Sequence, residues 1–340
     1  FVSSFILADD DLASEMVDRL CEKAQSGVTV RLLADGFGSY QFPDEMLERV
    51  RNAGGKAIKF KPISELSRFA YLNFRNHRKL VVADGDHALL GGANLVSYEM
   101  THQPDDNTWI DYSLRIDGMC ARQIEAVFLS DWNFAADEEL ELSNRPIWTL
   151  DDSQSESTAD EDQAVLQLIP IGPDGPTDVL NDIWLTGFAR ARRHIRIVTP
   201  YFVPPPGAMQ SLATAVRRGV EVTVIVPRSS DVPPADYARL DYLHDLQQTG
   251  VQVYQHPDKM VHAKMVILDD SVAYCGSANF DMRSFLLNYE LIVGIFNKAK
   301  VQESVEWFDS LAEDCIPQAC NDTWYRRALG VAARMVAEEL

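Results

Sequence analysis

Cysteine is sparse and irregular in this chain. Five occur in 340 residues, at positions 21, 120, 275, 315 and 320. The odd count and uneven spacing argue against a disulfide framework, and no C-x-x-C pair marks a structural zinc site. The five read as reduced thiols. Basic residues are outnumbered: 31 Lys and Arg stand against 51 Asp and Glu, a net charge of −20. Such an acidic surface repels a phosphate backbone, which counts against a nucleic-acid partner. No run of about 18 apolar residues occurs, so nothing reads as a membrane span, and no signal-peptide pattern is visible. The chain opens Phe1-Val2-Ser3-Ser4-Phe5-Ile6-Leu7, without Met or a polar lead. That reads as the interior of a strand and predicts a fragment.

What is present is an internal repeat. Residues 77–94 read HRKLVVADGDHALLGGAN and residues 262–279 read HAKMVILDDSVAYCGSAN, at a constant offset of 185 (77 to 262, 94 to 279). Upstream, Gly27-Val28-Thr29-Val30-Arg31-Leu32-Leu33 parallels Gly219-Val220-Glu221-Val222-Thr223-Val224-Ile225. Each apolar run follows a Gly that closes a helical segment, Leu12–Ser26 or Ala208–Arg218. Helix followed by buried strand is α/β patterning, so each half is expected to be a sheet flanked by helices. The length allows about two domains. The boundaries predicted are a first half at 1–150, an acidic linker at 151–163 and a second half at 164–340. Residues 151–162, DDSQSESTADED, hold six carboxylates and no apolar side chain larger than Ala. An exposed linker fits them, with an acidic partner-binding segment as the alternative. The segment Trp324 to Leu340 has apolar residues at helical spacing, which suits a helix packed on the core or one lying on a membrane surface.

The repeated constellation carries the chemistry. The first copy is His77, Lys79, Asp84, Gly91, Gly92 and Asn94; the second is His262, Lys264, Asp269, Gly276, Ser277 and Asn279. On a strand, residues i and i+2 share a face, so each His and its Lys point the same way. The apolar runs Leu80-Val81-Val82 and Met265-Val266-Ile267-Leu268 predict buried strands. They end at turns marked Asp84-Gly85 and Asp269-Asp270, and second strands follow at 88–90 and 272–274. Two facing sets supply two imidazoles, two ammonium groups and two amides, an inventory suited to a phosphodiester. Lys and Asn (Asn94 and Asn279, with Ser277) hold the non-bridging oxygens, one His attacks phosphorus, and the other protonates the leaving alkoxide. The lysines do the charge work, so no metal and no cofactor are expected. The other histidines, His87, His102, His194, His244 and His256, lack such a setting.

These motifs resemble those of the HKD phospholipase D superfamily, and most closely the bacterial phospholipase D-type cardiolipin synthases. Stretches that carry the likeness are Asn76-His77-Arg78-Lys79, Trp109-Ile110-Asp111, Thr199-Pro200-Tyr201-Phe202-Val203-Pro204, and Gly276-Ser277-Ala278-Asn279 running to Asn288-Tyr289-Glu290. The resemblance implies the phospholipase D fold: two homologous α/β sandwich halves related by a pseudo-twofold, with the active site at their interface and no homodimer needed to complete it. It implies a phosphatidyltransferase that makes cardiolipin from phosphatidylglycerol through a phosphohistidine, or else a phosphodiesterase using water; a nuclease on the same fold is disfavoured by the charge. His77 would be the nucleophile and His262 the general acid, then general base. Downstream carboxylates, Asp111 and Glu290, would orient the histidines, while the motif aspartates Asp84 and Asp269 would rather hold the fold than touch substrate. The implied setting is a membrane surface, at a bacterial inner membrane with the catalytic core in the cytoplasm. The N-terminal membrane spans common in those synthases do not occur in these 340 residues.

Overall fold

The computed structural model describes residues 1–62, 73–140, 164–176 and 178–319. The first half runs β1 (Val2–Ser4), α1 (Asp11–Gln25), β2 (Arg31–Asp35), α2 (Asp44–Asn52), β3 (Lys56–Phe60), β4 (Leu80–Ala83), β5 (His87–Gly91), β6 (Ser113–Asp117) and α3 (Met119–Ala136). The second runs β7 (Leu166–Ile171), α4 (Val179–Arg190), β8 (His194–Val198), β9 (Phe202–Val203), α5 (Pro206–Arg217), β10 (Glu221–Pro227), α6 (Pro233–Gln247), β11 (Gln252–His256), β12 (Met265–Leu268) and β13 (Val272–Gly276). It ends with β14 (Phe280–Asp281), α7 (Met282–Leu286), β15 (Glu290–Ile295), α8 (Lys298–Glu313) and β16 (Ile316–Pro317). The acidic segment 151–163 and the segment Trp324 to Leu340 lie outside the described residues.

The repeat in the sequence is a repeat in topology. The first sheet has the order β3-β2-β1-β4-β5-β6, and the second contains the matching order β11-β10-β8-β12-β13-β15, with β16 and β7 added at its two edges. In both, three parallel strands join an antiparallel meander through the strand that follows the His-x-Lys motif. Helix connections account for the parallel part: α1 starts at Asp10, whose side chain accepts the Ala13 N–H, and ends before Gly27 at φ +90°. Among the parallel strands β2 and β10 carry consecutive buried apolar residues, Leu32-Leu33-Ala34 and Val224-Ile225-Val226, because both of their faces are covered.

Those two faces bury different things. The outer face of the first sheet packs Leu32, Ala34 and Ala57 against Ala13, Val17, Leu47 and Val50 of α1 and α2. The outer face of the second packs Ile197, Val222 and Val224 against residues of α4, α5 and α6 such as Leu180, Leu212 and Leu243. The inner faces meet. Leu80, Val82, Leu90, Ile116 and Phe128 of one half share a single buried cluster with Met265, Ile267, Ala273, Val293 and Phe308 of the other. One apolar core spans the pseudo-twofold, so the halves are fixed relative to each other and a site on their seam can be rigid.

Candidate active site at the seam of the halves

Both motif histidines lie on this seam, just before β4 and β12. Each is stitched by backbone to the opposite half. The His77 N–H donates to the Tyr289 carbonyl at 2.9 Å, and the Tyr289 N–H donates to the Arg75 carbonyl at 2.9 Å. In mirror fashion the His262 N–H donates to the Ile110 carbonyl at 2.7 Å, and the Ile110 N–H to the Met260 carbonyl at 2.8 Å. The residues next in line, Glu290 and Asp111, therefore reach the histidine of the other motif. Nδ1 of His77 is 3.0 Å from both oxygens of Glu290, and Nδ1 of His262 is 2.8 Å from Asp111 Oδ2. The carboxylates are exchanged between halves, and each fixes the tautomer so that Nε2 is the working nitrogen.

The first motif is buttressed further. Asp35 accepts from Arg75 and from the Asn76 N–H at 3.0 Å, and Asp131 accepts from Asn76 Nδ2 at 2.9 Å and from Arg78. Arg78 also donates to the Glu290 carbonyl at 3.0 Å. These buried ion pairs leave His77 little freedom to tilt. Aromatic rings close in on both imidazoles: Phe5 meets His77 edge-on at 4.8 Å between centroids, and Trp109 lies 5.3 Å from His262.

The lysines are buried beside the histidines. Lys79 Nζ donates to the His77 carbonyl at 2.7 Å, and Lys264 Nζ lies 2.8 Å from His262 Nε2 and 2.5 Å from its carbonyl. Burial and the facing Lys264 bring the Lys79 ammonium down to about 7, and burial lowers Lys264 as well. Two cations pressed together out of water favour an anion between them.

The two imidazoles are electrostatically unlike. His77 is lowered to about 4, first by burial, against which its carboxylate partner acts only in part. Burial and Lys264 also press His262 down, but Glu99 and Asp111 outweigh them and its pKa is raised. Glu99 Oε2 stands 3.2 Å from His262 Nδ1. Burial alone would raise this carboxyl, yet its interactions with His262 hold it at about 2. Nε2 of His262 accepts from Lys264 here, since only one of two nitrogens can carry a hydrogen along their line. Protonating Nε2 requires the ammonium to move off, and a phosphoryl oxygen is an acceptor for it.

The remaining sequence-derived residues divide. Asn94 lies in the site but its amide is committed: Nδ2 donates to Glu99 at 2.8 Å and Oδ1 accepts the Ile6 N–H at 3.1 Å. Ser277 donates to Glu290 at 2.5 Å. Asn279 Oδ1 is buried without a hydrogen-bond partner. Asp84 and Asp269, the last members of the motif, stand apart from the reacting groups. Both close turns at the far ends of β4 and β12 in left-handed conformation, φ +56° and +53°, about 16 Å along the strand from their lysines at the usual rise. Asp269 accepts the backbone N–H groups of Arg192, Arg193 and His194 at 2.8, 2.7 and 3.0 Å, a fold-holding role. His87 and His194 pair with surface carboxylates elsewhere.

Glu99 is the residue that sequence reasoning missed. It stands five places after Asn94, where the second copy has Ser284, so the signal was a break in the repeat rather than a match. The fold also gathers Glu99, Asp111 and His262 with one ligand atom from each within 4.8 Å of the others, a group that no spacing in the sequence announced. Here Nδ1 lies between the two carboxylates, and a cation in the same place would have to displace its proton.

The family profile described as "Cardiolipin synthase, PLD-like domain" matches residues 2–132 and 185–312. Cardiolipin synthase 2 of Bacillus anthracis is 31% identical over 91% of the chain, and a probable cardiolipin synthase of Bacillus subtilis is 33% identical over 90%. The chain spans 59% of the length of each of these relatives. In fold it is similar to the crystal structure of phosphatidylserine synthase from Haemophilus influenzae Rd KW20, with a TM-score of 0.71 and 19% identity over 100% of this chain and 89% of that one. With the profile matched over well more than half its length, the chain belongs to the phospholipase D-like domain family of cardiolipin synthases.

Proposed function

We propose that the chain transfers a phosphatidyl group from phosphatidylglycerol to the hydroxyl of a second such lipid, giving cardiolipin and releasing glycerol. The observation that carries this reading is the geometry of the seam, where each motif imidazole is held at Nδ1 by a carboxylate of the other half and His262 alone has a second carboxylate, Glu99, beside it. In the first step the Nε2 lone pair of His77 forms a P–N bond while the P–O bond to glycerol breaks, and the leaving oxygen takes the proton of His262 Nε2. In the second step the incoming lipid hydroxyl gives its proton to His262, its oxygen bonds phosphorus, and the P–N bond breaks. Lys79 and Lys264 balance the non-bridging oxygens throughout, and Glu290 and Asp111 keep both rings oriented.

The same residues would serve water as acceptor, so hydrolysis to phosphatidic acid is the second reading; the relatives named as cardiolipin synthases favour the lipid alcohol. Catalysis belongs at a membrane surface, where both lipids are found, with a bacterial inner membrane as the setting. Among the described helices none is long and apolar enough to cross a membrane. Incubation with labelled phosphatidylglycerol followed by lipid separation tests the proposal. Cardiolipin and glycerol are expected; phosphatidic acid alone would establish the hydrolase reading, and an unchanged lipid would refute both.

A further inference from the structure

The two motifs carry the same His, Lys, Asp, Gly and Asn, yet their histidines must do opposite things. Superposing the repeat shows where they part. The residue five places after the motif Asn is Glu99 in one half and Ser284 in the other. Both meet the backbone N–H of that Asn: Asn94 N–H donates to Glu99 at 2.6 Å, and Asn279 N–H donates to Ser284 Oγ at 3.0 Å. From this shared place they face different partners. Glu99 lies against the His262 ring. Ser284 donates instead to Glu290 at 2.8 Å, the carboxylate that holds His77. The position after the first motif glycine differs too, Gly92 against Ser277. A Cβ at Gly92 would collide with the Asp111 carboxylate, whereas Ser277 donates its hydroxyl to Glu290.

His262 thus faces two carboxylates and His77 only one, Glu290, which also accepts the Ser277 and Ser284 hydroxyls, with the Asn288 amide more distant at 3.4 Å. We infer that Glu99 is a positioning residue that makes the halves unequal, joining Asp111 to hold His262 as the proton carrier and leaving His77 as the attacking group. Its own setting supports this. It is 6% exposed, and both oxygens are fixed by Asn94, so it cannot turn away from the ring. The raised pKa of His262 and the lowered one of His77 have the same sign as the geometry. The other charge acting on His262 is Lys264, two residues further on, which opposes the effect; Glu290 and Asp231 in turn act on Lys264. With Lys264 common to any substitution at 99, the change can be assigned to Glu99.

The inference rests on the phosphatidyl-transfer reading for its role but not for its test. The full chain with labelled histidine is titrated by NMR, as wild type and as Glu99→Gln. In the wild type, His262 is expected to titrate above His77. In E99Q the His262 midpoint should fall by about one pH unit or more while that of His77 stays, because the negative charge that favours the imidazolium has gone from beside that ring alone. The alkaline limb of kcat/KM on phosphatidylglycerol should move with it, leaving E99Q roughly tenfold slower above that limb. A donor with a 4-nitrophenolate leaving group needs no proton, so its release burst should be kept. An unmoved His262 midpoint, an equal displacement of both midpoints, or an equal loss with both donors would overturn the inference. Should E99Q not fold, the wild-type order alone decides: His77 titrating above His262 is incompatible with the inference. A lowered His262 midpoint in a protein that leaves phosphatidylglycerol unchanged would refute the substrate and not the role of Glu99.

Discussion

At the scale of single residues, one motif contains groups with two kinds of work. In the proposed reaction His77 and Lys79 belong to the reacting centre, while the eighth position of the motif, Asp84 or Asp269, lies at the other end of a four-residue strand. Asp269 accepts three backbone N–H groups that lead into β8, and its pKa is lowered, those bonds overcoming the effect of burial. A depressed carboxyl stabilises the fold above its unfolded pKa, and that contribution is lost as the pH falls through the folded value. Asp269→Asn is therefore expected to cost about 1–3 kcal/mol of stability near neutral pH, with the difference from wild type narrowing in acid. Turnover per folded molecule should be unchanged. Thermal melts at two pH values beside a turnover assay check this, and a large loss of kcat in a fully folded variant would return the aspartate to the reaction.

At the scale of elements, the crossing of the halves decides which carboxylate serves which histidine. The strand pattern was legible in the sequence: the turns at Asp84-Gly85 and Asp269-Asp270, the runs flanking them and the helices before Gly27 and Gly219 all stand where spacing put them. Asp111 and Glu290 were also legible as candidates. Their exchange was not, because the Asn76–Tyr289 and Ile110–Val261 bridges join segments far apart in the chain, and local periodicity carries no record of such contacts. Glu99 was hidden for the opposite reason, since a repeat draws attention to what is the same. The exchange has a measurable consequence. Glu290→Gln should strip the His77 ring of its anchor, with first-step phosphorylation slowed on the order of 10²–10⁴-fold. Asp111→Asn should act through His262: release of an alkoxide slows by a similar order, and release of 4-nitrophenolate is spared. Burst kinetics with both donors separate the two, and the reverse pattern would place each carboxylate with the histidine of its own half.

At the scale of the whole molecule, the shared core explains why two weakly similar halves make one site. Each sheet covers its outer face with its own helices and spends its inner face on the other half, so neither motif can reach its carboxylate partner without the pairing. The net charge of −20 is a sum over the whole chain and does not reveal the two lysines, Lys79 and Lys264, buried at this seam. The central claim is that this seam works through a covalent phosphohistidine on the first half's imidazole. Mass spectrometry of the His262→Asn variant, trapped with a phosphodiester donor bearing a 4-nitrophenolate leaving group, tests it most directly. The account predicts a phosphoryl adduct on His77 and none on His77→Asn treated alike; an adduct on His262 of the wild type, or turnover with no adduct on either histidine, would contradict it.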